Sequence, residues 1–282
     1  MTQFAQNSEA RMMQRLRLRL LACAVLLLIA SSVRAELAED QQIAAKITAS
    51  TFPLEQVPEP LRLKVDALLK QPTAYARGPI EAFPCQPPVY SWLLDNPHHG
   101  FRAWRALGVK CATVEQKADG SFHGIDPLGS ELSWTEVLRE PNRRVWYAEG
   151  QARPAPLTPS VPLKVLLLLR HHEVVGEDGR IGVRHRAELF AQFDASRAAK
   201  LVSKLWGLSN ETVARKAAEQ VELFFSGLAW YISEHPEWVS TALKPNKKTT
   251  PQELQQVEVL VRLLATLPPP QGSPMPAGLR RE

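Results

Sequence analysis

The stretch from Leu163 to Phe193 constrains the fold more than any other. "LKVLLLLRHHEVV" and "IGVRHRAELFAQF" flank "EDG", Glu177 to Gly179. Both flanks are long and rich in aliphatic and β-branched residues, which reads as two strands. A three-residue loop ending in glycine suits a type I turn followed by one left-handed residue. That loop fixes the register. Leu167 faces Leu189, Leu169 faces Ala187 and Val175 faces Ile181, so apolar meets apolar down one face. The same register sets His171 opposite His185, with Glu173 two residues along on that face. Directly opposed Cβ atoms lie about 5 Å apart. Two imidazoles and a carboxylate are the ligand set of a zinc or non-haem iron site. The plainer alternative is a polar rim, with Arg170, His171, His172 and Glu173 facing water at the hairpin tip. Either way an imidazole pair sits there, and two like charges so close resist joint protonation.

The first 35 residues read as a secretory leader. Arg11, Arg15, Arg17 and Arg19 precede the apolar run "LLACAVLLLIA", and "SSVRA" supplies a small-residue cleavage site after Ala35. The run is short for a membrane span, which takes about 20 residues. The chain is therefore expected to be exported, periplasmic or secreted, with no span left after cleavage. The leader also carries most of the net charge of +5. Removing its five arginines and Glu9 from 34 basic and 29 acidic residues leaves 29 and 28. With that balance no nucleic-acid partner is expected, because duplex binding needs a clustered positive surface.

Two cysteines remain, Cys85 and Cys111. In an oxidising compartment they are a candidate disulfide, worth roughly 3.5 kcal/mol for a loop of this length. Residues 36–58 form a polar lead-in with a short helix around Asp40 to Thr48. Leu61, Val65, Leu68 and Leu69 follow at helical spacing, bounded by Pro60 and Pro72. The proline-rich "ARGPIEAFPCQPP" reads as loop. "VYSWLLDNP" and "HHGFRAWRALG" read as two helices broken at Pro97. His98 and His99, with Asp95, are a weak metal candidate in what reads as a solvated loop.

From Val109 short β-type runs alternate with the turn signals "KADG", "DPLG" and "EPNR". In "ELSWTEVL", Glu136 breaks an otherwise regular alternation. After the long hairpin come a helix over "ASRAAKLVSKLW" and a second, long one to about Glu234. The long helix carries Val213, Ala217, Val221, Phe224, Phe225, Leu228 and Ile232 as one apolar stripe. A linker, a capped helix starting at Thr250 and a proline-rich tail from residue 268 complete the chain.

The expected fold is α+β: N-terminal helices, an antiparallel β-meander of five or six strands, and the long amphipathic helix packed on the sheet, with residues 59–242 as one domain. The element order is similar to helix-grip, lipid-binding architectures, which implies space for an apolar ligand between sheet and helix. No nucleophile elbow, phosphate-cradling loop or dinucleotide fingerprint is present. No cofactor is expected unless a metal sits on the hairpin. Three functions follow: an exported, non-enzymatic binding or accessory protein of the cell envelope with a protein partner, a carrier of an apolar small molecule, or a metal-dependent hydrolase at His171, His185 and Glu173.

Overall fold

A computed structural model describes residues 40–153, 158–193, 210–245, 249–268 and 272. The leader, the helix expected near 195–206 and nearly all of the proline-rich tail lie outside them. The chain divides into two units, one ending at Ser50 and one beginning at Thr51. The first contains helix α1, residues 40–50.

The second unit is built on the hairpin. β7 (Val161–Val175) and β8 (Ile181–Phe193) pair antiparallel with Leu167 opposite Leu189, Leu169 opposite Ala187 and His171 opposite His185. Gly179 holds φ +77, the left-handed conformation that the turn demands and glycine adopts without strain. Upstream lie β3 (Thr113–Gln116), β4 (Phe122–Ile125), β5 (Glu131–Glu140) and β6 (Arg143–Ala152), each paired with the next. β3 to β8 are the expected meander of six strands.

Two further strands bring the sheet to eight. β1 (Ala74–Arg77) and β2 (Glu81–Pro84) both pair with the outer side of β8. They come from the segment that reads as loop. Four-residue strands carry little periodicity, and Pro84 is tolerated because β2 is an edge strand. The break in alternation at Glu136 is a bulge: the β5–β6 register shifts between Glu136 and Leu138.

The helices are α2 (Glu59–Lys70), α3 (Pro87–Asp95), α4 (Pro97–Ala106), α5 (Asn210–Glu234), the short α6 (Val239–Ala242) and α7 (Pro251–Thr266). α5 lies on the sheet face formed by Leu169, Ala187, Leu189 and Trp146. The core there contains Tyr90, Leu93, Phe225, Leu228 and Ile232. α7 begins with the expected capping box, Thr250 and Glu253 satisfying each other's backbone amides. It is joined to this face: Leu260 is fully buried, and Trp92 Nε1 donates to the Gln256 carbonyl. The opposite, outer face buries Leu166, Leu168 and Phe190, along with Val65 and Leu68 of α2. Lys64 of α2 pairs with Glu149 of β6 at 2.8 Å and anchors the helix there.

The long helix turns its buried side differently from the expected stripe. Ala214, Ala218, Phe225, Leu228, Ala229 and Ile232 are buried, together with Glu222. Val213, Ala217, Val221 and Phe224 are half-buried at the flank. Small residues at 214 and 218 let the helix approach the sheet closely, and that approach outweighs the larger apolar side chains.

The candidate disulfide does not form, since both cysteines are free. Cys85 follows β2 into the core, where burial pushes its thiol well up from the usual range. Cys111 follows α4 and donates from Sγ to the Phe101 carbonyl. Sequence spacing carries no information about Cβ geometry, which decides whether two sulfurs can meet.

Candidate functional site

Successive residues of β7 and β8 point to opposite faces, so the turn end of the hairpin carries two different polar clusters. The odd-numbered residues face α3 and α5. His185 is 1% exposed and His171 9% exposed, so these imidazoles do not form a solvated rim. His185 meets the ring of Phe83 edge-on, with β2 placing the ring centroids 4.9 Å apart. Both ring nitrogens are engaged: Nε2 donates to Glu81 Oε2 at 3.2 Å, and Nδ1 accepts from the Tyr90 hydroxyl at 2.9 Å. A single neutral tautomer satisfies both bonds. β2 is what delivers Glu81, with Glu81 opposite His185.

His171 lies against Tyr90, ring centroids 5.4 Å apart, and its Nε2 has no hydrogen-bond partner. Burial, then the neighbouring Arg144 guanidinium and His185, lower its pKa to about 4. Arg144 is itself clamped, donating to Glu136 Oε1 and to Asp95 Oδ1 at 2.7 Å each. That explains Glu136: its carboxylate points inward because the bulge aims it at a buried arginine. Asp95 pairs with Arg139 and Arg144 and is not a partner of His98 and His99.

Glu222 descends from α5 onto the gap between β1 and β2. The Ala187 amide donates to its Oε1 at 2.6 Å. Gly78 in the gap leaves room for the carboxylate, since a Cβ there would lie 2.5 Å from Oε1. Burial, with nearby Glu81, raises the Glu222 pKa to about 7, against the pull of the Ala187 amide and of Arg186. The apolar periodicity of the helix conceals this residue. The usable signal is its place in the series Ala214, Ala218, Glu222, an acid on the small-residue face.

The proposed metal trio does not assemble. Glu173 shares the parity of His171 but is exposed beyond the helical cover. His185 spends both nitrogens on Tyr90 and Glu81. Among the described residues no group of three or more His, Cys, Asp or Glu side chains has metal-holding geometry.

Even-numbered residues face outward, past the end of α2. Arg143 of β6, Arg170 of β7 and Arg186 of β8 stand directly opposite one another on three adjacent strands. Arg184 follows on the same face, opposite His172. Arg77 of β1 stands opposite Glu188. Glu188 is fully buried, accepts from the Tyr75 hydroxyl at 2.9 Å and lies 3.5 Å from both Arg77 and Arg170. Arg143 is held bidentately by Glu140. Arg184 and Arg186 have no carboxylate within 4.0 Å among the described residues. A cavity of about 510 Å³ opens over this cluster.

His98 and His99 are buried at the start of α4, where a solvated loop was expected. Each Nε2 donates to Gln256 Oε1 of α7, at 3.2 and 3.1 Å, and Gln256 Nε2 passes the chain on to Gln116. Burial lowers their pKa values to about 4 and about 3. They tie α7 to the domain.

No known protein family matches the sequence. No curated protein matches it either. Among solved structures, it is similar to a conserved protein from Geobacillus kaustophilus at 10% identity, over 55% of this chain and 93% of that one, with a TM-score of 0.38. A second similarity is to an uncharacterized protein from Rhizobium leguminosarum, at 14% identity over 54% and 94% of the two chains, with a TM-score of 0.23. At those scores neither bears on function. The molecule is thus defined by its own architecture: an α+β protein with an eight-stranded antiparallel sheet, one face of which ends in a basic cavity.

Proposed function

We propose that the chain is an exported, non-enzymatic binding or accessory protein of the cell envelope, and that its ligand enters the cavity at the turn end of the sheet. The observation that carries this reading is the contrast at that end. Groups with acid–base potential, Tyr90, His185 and Glu81, are turned inward and bonded to one another. The space open to solvent is lined mainly by arginines, and where His185 reaches its wall both ring nitrogens are already engaged by Tyr90 and Glu81. Its volume of about 510 Å³ lies within the range of small-molecule sites.

An apolar-ligand carrier draws no support. Phe225 stacks on Trp146, ring centroids 6.3 Å apart, and Leu228 and Ile232 are fully buried. The space between α5 and the sheet is filled by side chains at these positions. Export rests on the leader, and no described helix is long and apolar enough to cross a membrane.

The test is production with the leader in an exporting host, followed by native mass spectrometry of the exported fraction. The expected result is a mature chain beginning at Glu36 that retains a small molecule, with the molecule absent from the Arg170→Gln/Arg186→Gln variant. A chain retained in the cytoplasm refutes export, and a bare chain in both proteins refutes the cavity as the binding site.

A further inference from the structure

The cavity over the outer face is an electrostatic anomaly in a nearly neutral mature chain. Five arginines line it, Arg77, Arg143, Arg170, Arg184 and Arg186, and Glu140 is the one acidic lining residue. Glu188 lies beneath. Arg143 is paired with Glu140, and Arg77 and Arg170 both approach Glu188, whereas Arg184 and Arg186 have no carboxylate within 4.0 Å among the described residues. Three of the arginines, 143, 170 and 186, are immediate cross-strand neighbours, and like charges directly opposed on a sheet are destabilising. Arg186 adds a second mark: its Nε is buried without a hydrogen-bond partner, whereas buried polar atoms are usually satisfied. Burial and the nearby Arg77 charge also depress its pKa.

The remaining lining fits the same conclusion. Ile80 is the one aliphatic side chain in it, so the site offers an apolar ligand little. Lysines are absent from it. Arginine presents a planar fork that binds phosphate and carboxylate oxygens bidentately, where lysine acts as a point charge. A lone carboxylate would match one of Arg184 and Arg186, whereas a ligand with two or more phosphoryl oxyanions would match both.

We infer that the cavity is a binding site for a phosphate-bearing ligand carrying several negative charges, gripped by Arg170 and Arg186 at its centre and by Arg143, Arg184 and Arg77 around them. This rests on the reading of the cavity as the ligand site. The shared chemistry is the phosphoryl group, whether on a free small molecule or on a lipid headgroup at a membrane surface. The cavity's volume of about 510 Å³ suits a compact group.

The experiment is isothermal titration of the full exported protein with inorganic tripolyphosphate in phosphate-free, low-salt buffer. Citrate serves as the carboxylate control, and a single-stranded oligonucleotide as the polymer control. Vesicles of phosphatidylcholine with and without phosphatidic acid test the lipid source by co-sedimentation. The expected result is tripolyphosphate binding that weakens with added salt. It should also weaken at least about tenfold in Arg170→Gln/Arg186→Gln, a change readable as a shift in Kd. Arg184→Gln, at an exposed position, should lose affinity as well, which keeps the test decisive if the double variant folds poorly. Retention by phosphatidic acid vesicles alone supports the same phosphoryl chemistry from a lipid source. Citrate binding as tight as tripolyphosphate, tighter oligonucleotide binding with the same arginine dependence, or no phosphate binding in any arm overturns the inference. A co-purified ligand that depends on Arg170 and Arg186 but is not displaced by tripolyphosphate overturns the ligand class and leaves the cavity reading standing. Absence of any ligand in both proteins overturns that reading as well.

Discussion

Adjacent rungs of one hairpin meet opposite fates. At residues 171 and 185 the side chains turn toward α3 and α5, where Tyr90 and Glu81 engage both nitrogens of His185. At 170 and 186, one residue away, they turn outward, and two arginines oppose each other under an open cavity. The strands are the same and the backbone pairing is continuous through both rungs. What differs is the cover, since the helices close one face and α2 stops short on the other. A polar group that is buried and bonded contributes to the fold, and its removal strands its partners. A charged group left beside its like contributes little to folding or opposes it. The two rungs thus place a bonded, buried pair and an opposed pair of like charges one peptide unit apart.

That contrast can be broken by mutation. His185→Ala should have the largest effect, lowering the unfolding free energy by about 4 kcal/mol, since Glu81 and Tyr90 lose their buried partner and Phe83 its ring contact. Urea unfolding followed by tryptophan fluorescence measures it, and a loss under about 1 kcal/mol would put the inward rung on the same footing as the outward one. Acid sharpens the comparison through a second inward pair. His98 and His99 are neutral in the folded chain, with pKa values of about 4 and about 3, but near 6.5 when unfolded. The unfolded state therefore binds more protons below pH 6.5. Stability from this pair is fully present above that pH and falls as the solution is acidified toward pH 4, by roughly 3 kcal/mol per histidine in the limit. Imidazole NMR signals that remain in the neutral form at pH 5 check it.

Glu222 has the opposite sign and a smaller size. Its folded pKa of about 7 lies above the unfolded value, so its contribution is present below pH 4.5 and lost as pH rises through 7. Glu222→Gln keeps an oxygen to accept from Ala187 and removes that dependence. At pH 8 the variant should be more stable than the parent by roughly 2 kcal/mol, and calorimetry at pH 5 and pH 8 measures the difference. The smallest effect belongs to the outward rung: Arg186→Gln should leave stability unchanged or raise it by about 0.5 kcal/mol, in the same unfolding assay.

The long hairpin was legible because its information is local: two apolar runs, a turn residue of permitted conformation and a period of two. The pairing of His171 with His185 follows from that register alone. The closing of the histidine site was not legible. It depends on Glu81 and Tyr90, about a hundred positions away, delivered by β2 and α3 through contacts no local pattern encodes. Glu222 was hidden for a related reason. Helical periodicity ranks residues by hydrophobicity, whereas the approach of α5 is decided by the small Ala214 and Ala218. The arginine cluster was concealed by averaging. Arg77, Arg143, Arg170 and Arg184 are scattered along the sequence and balanced by acids elsewhere, so a net charge summed over the chain says nothing of where the charges meet. Cysteine count overreached, because two thiols in one chain need geometry as well as chemistry to bridge.

The two short strands on β8 have a consequence for the chain's survival in solution. "LKVLLLL", with Lys164 its one charge, is the kind of strongly β-forming, apolar run that recruits copies of itself into fibrils. It is placed with β6 on one side and β8 on the other, and the free side of β8 is occupied over residues 182–185 and 188–191 by β2 and β1. The sheet thus ends in strands of four residues at both margins, one sealed with Pro84, too short to template a neighbour. Deleting residues 74–84 would strip that guard and expose the edge of β8 to pairing with another chain.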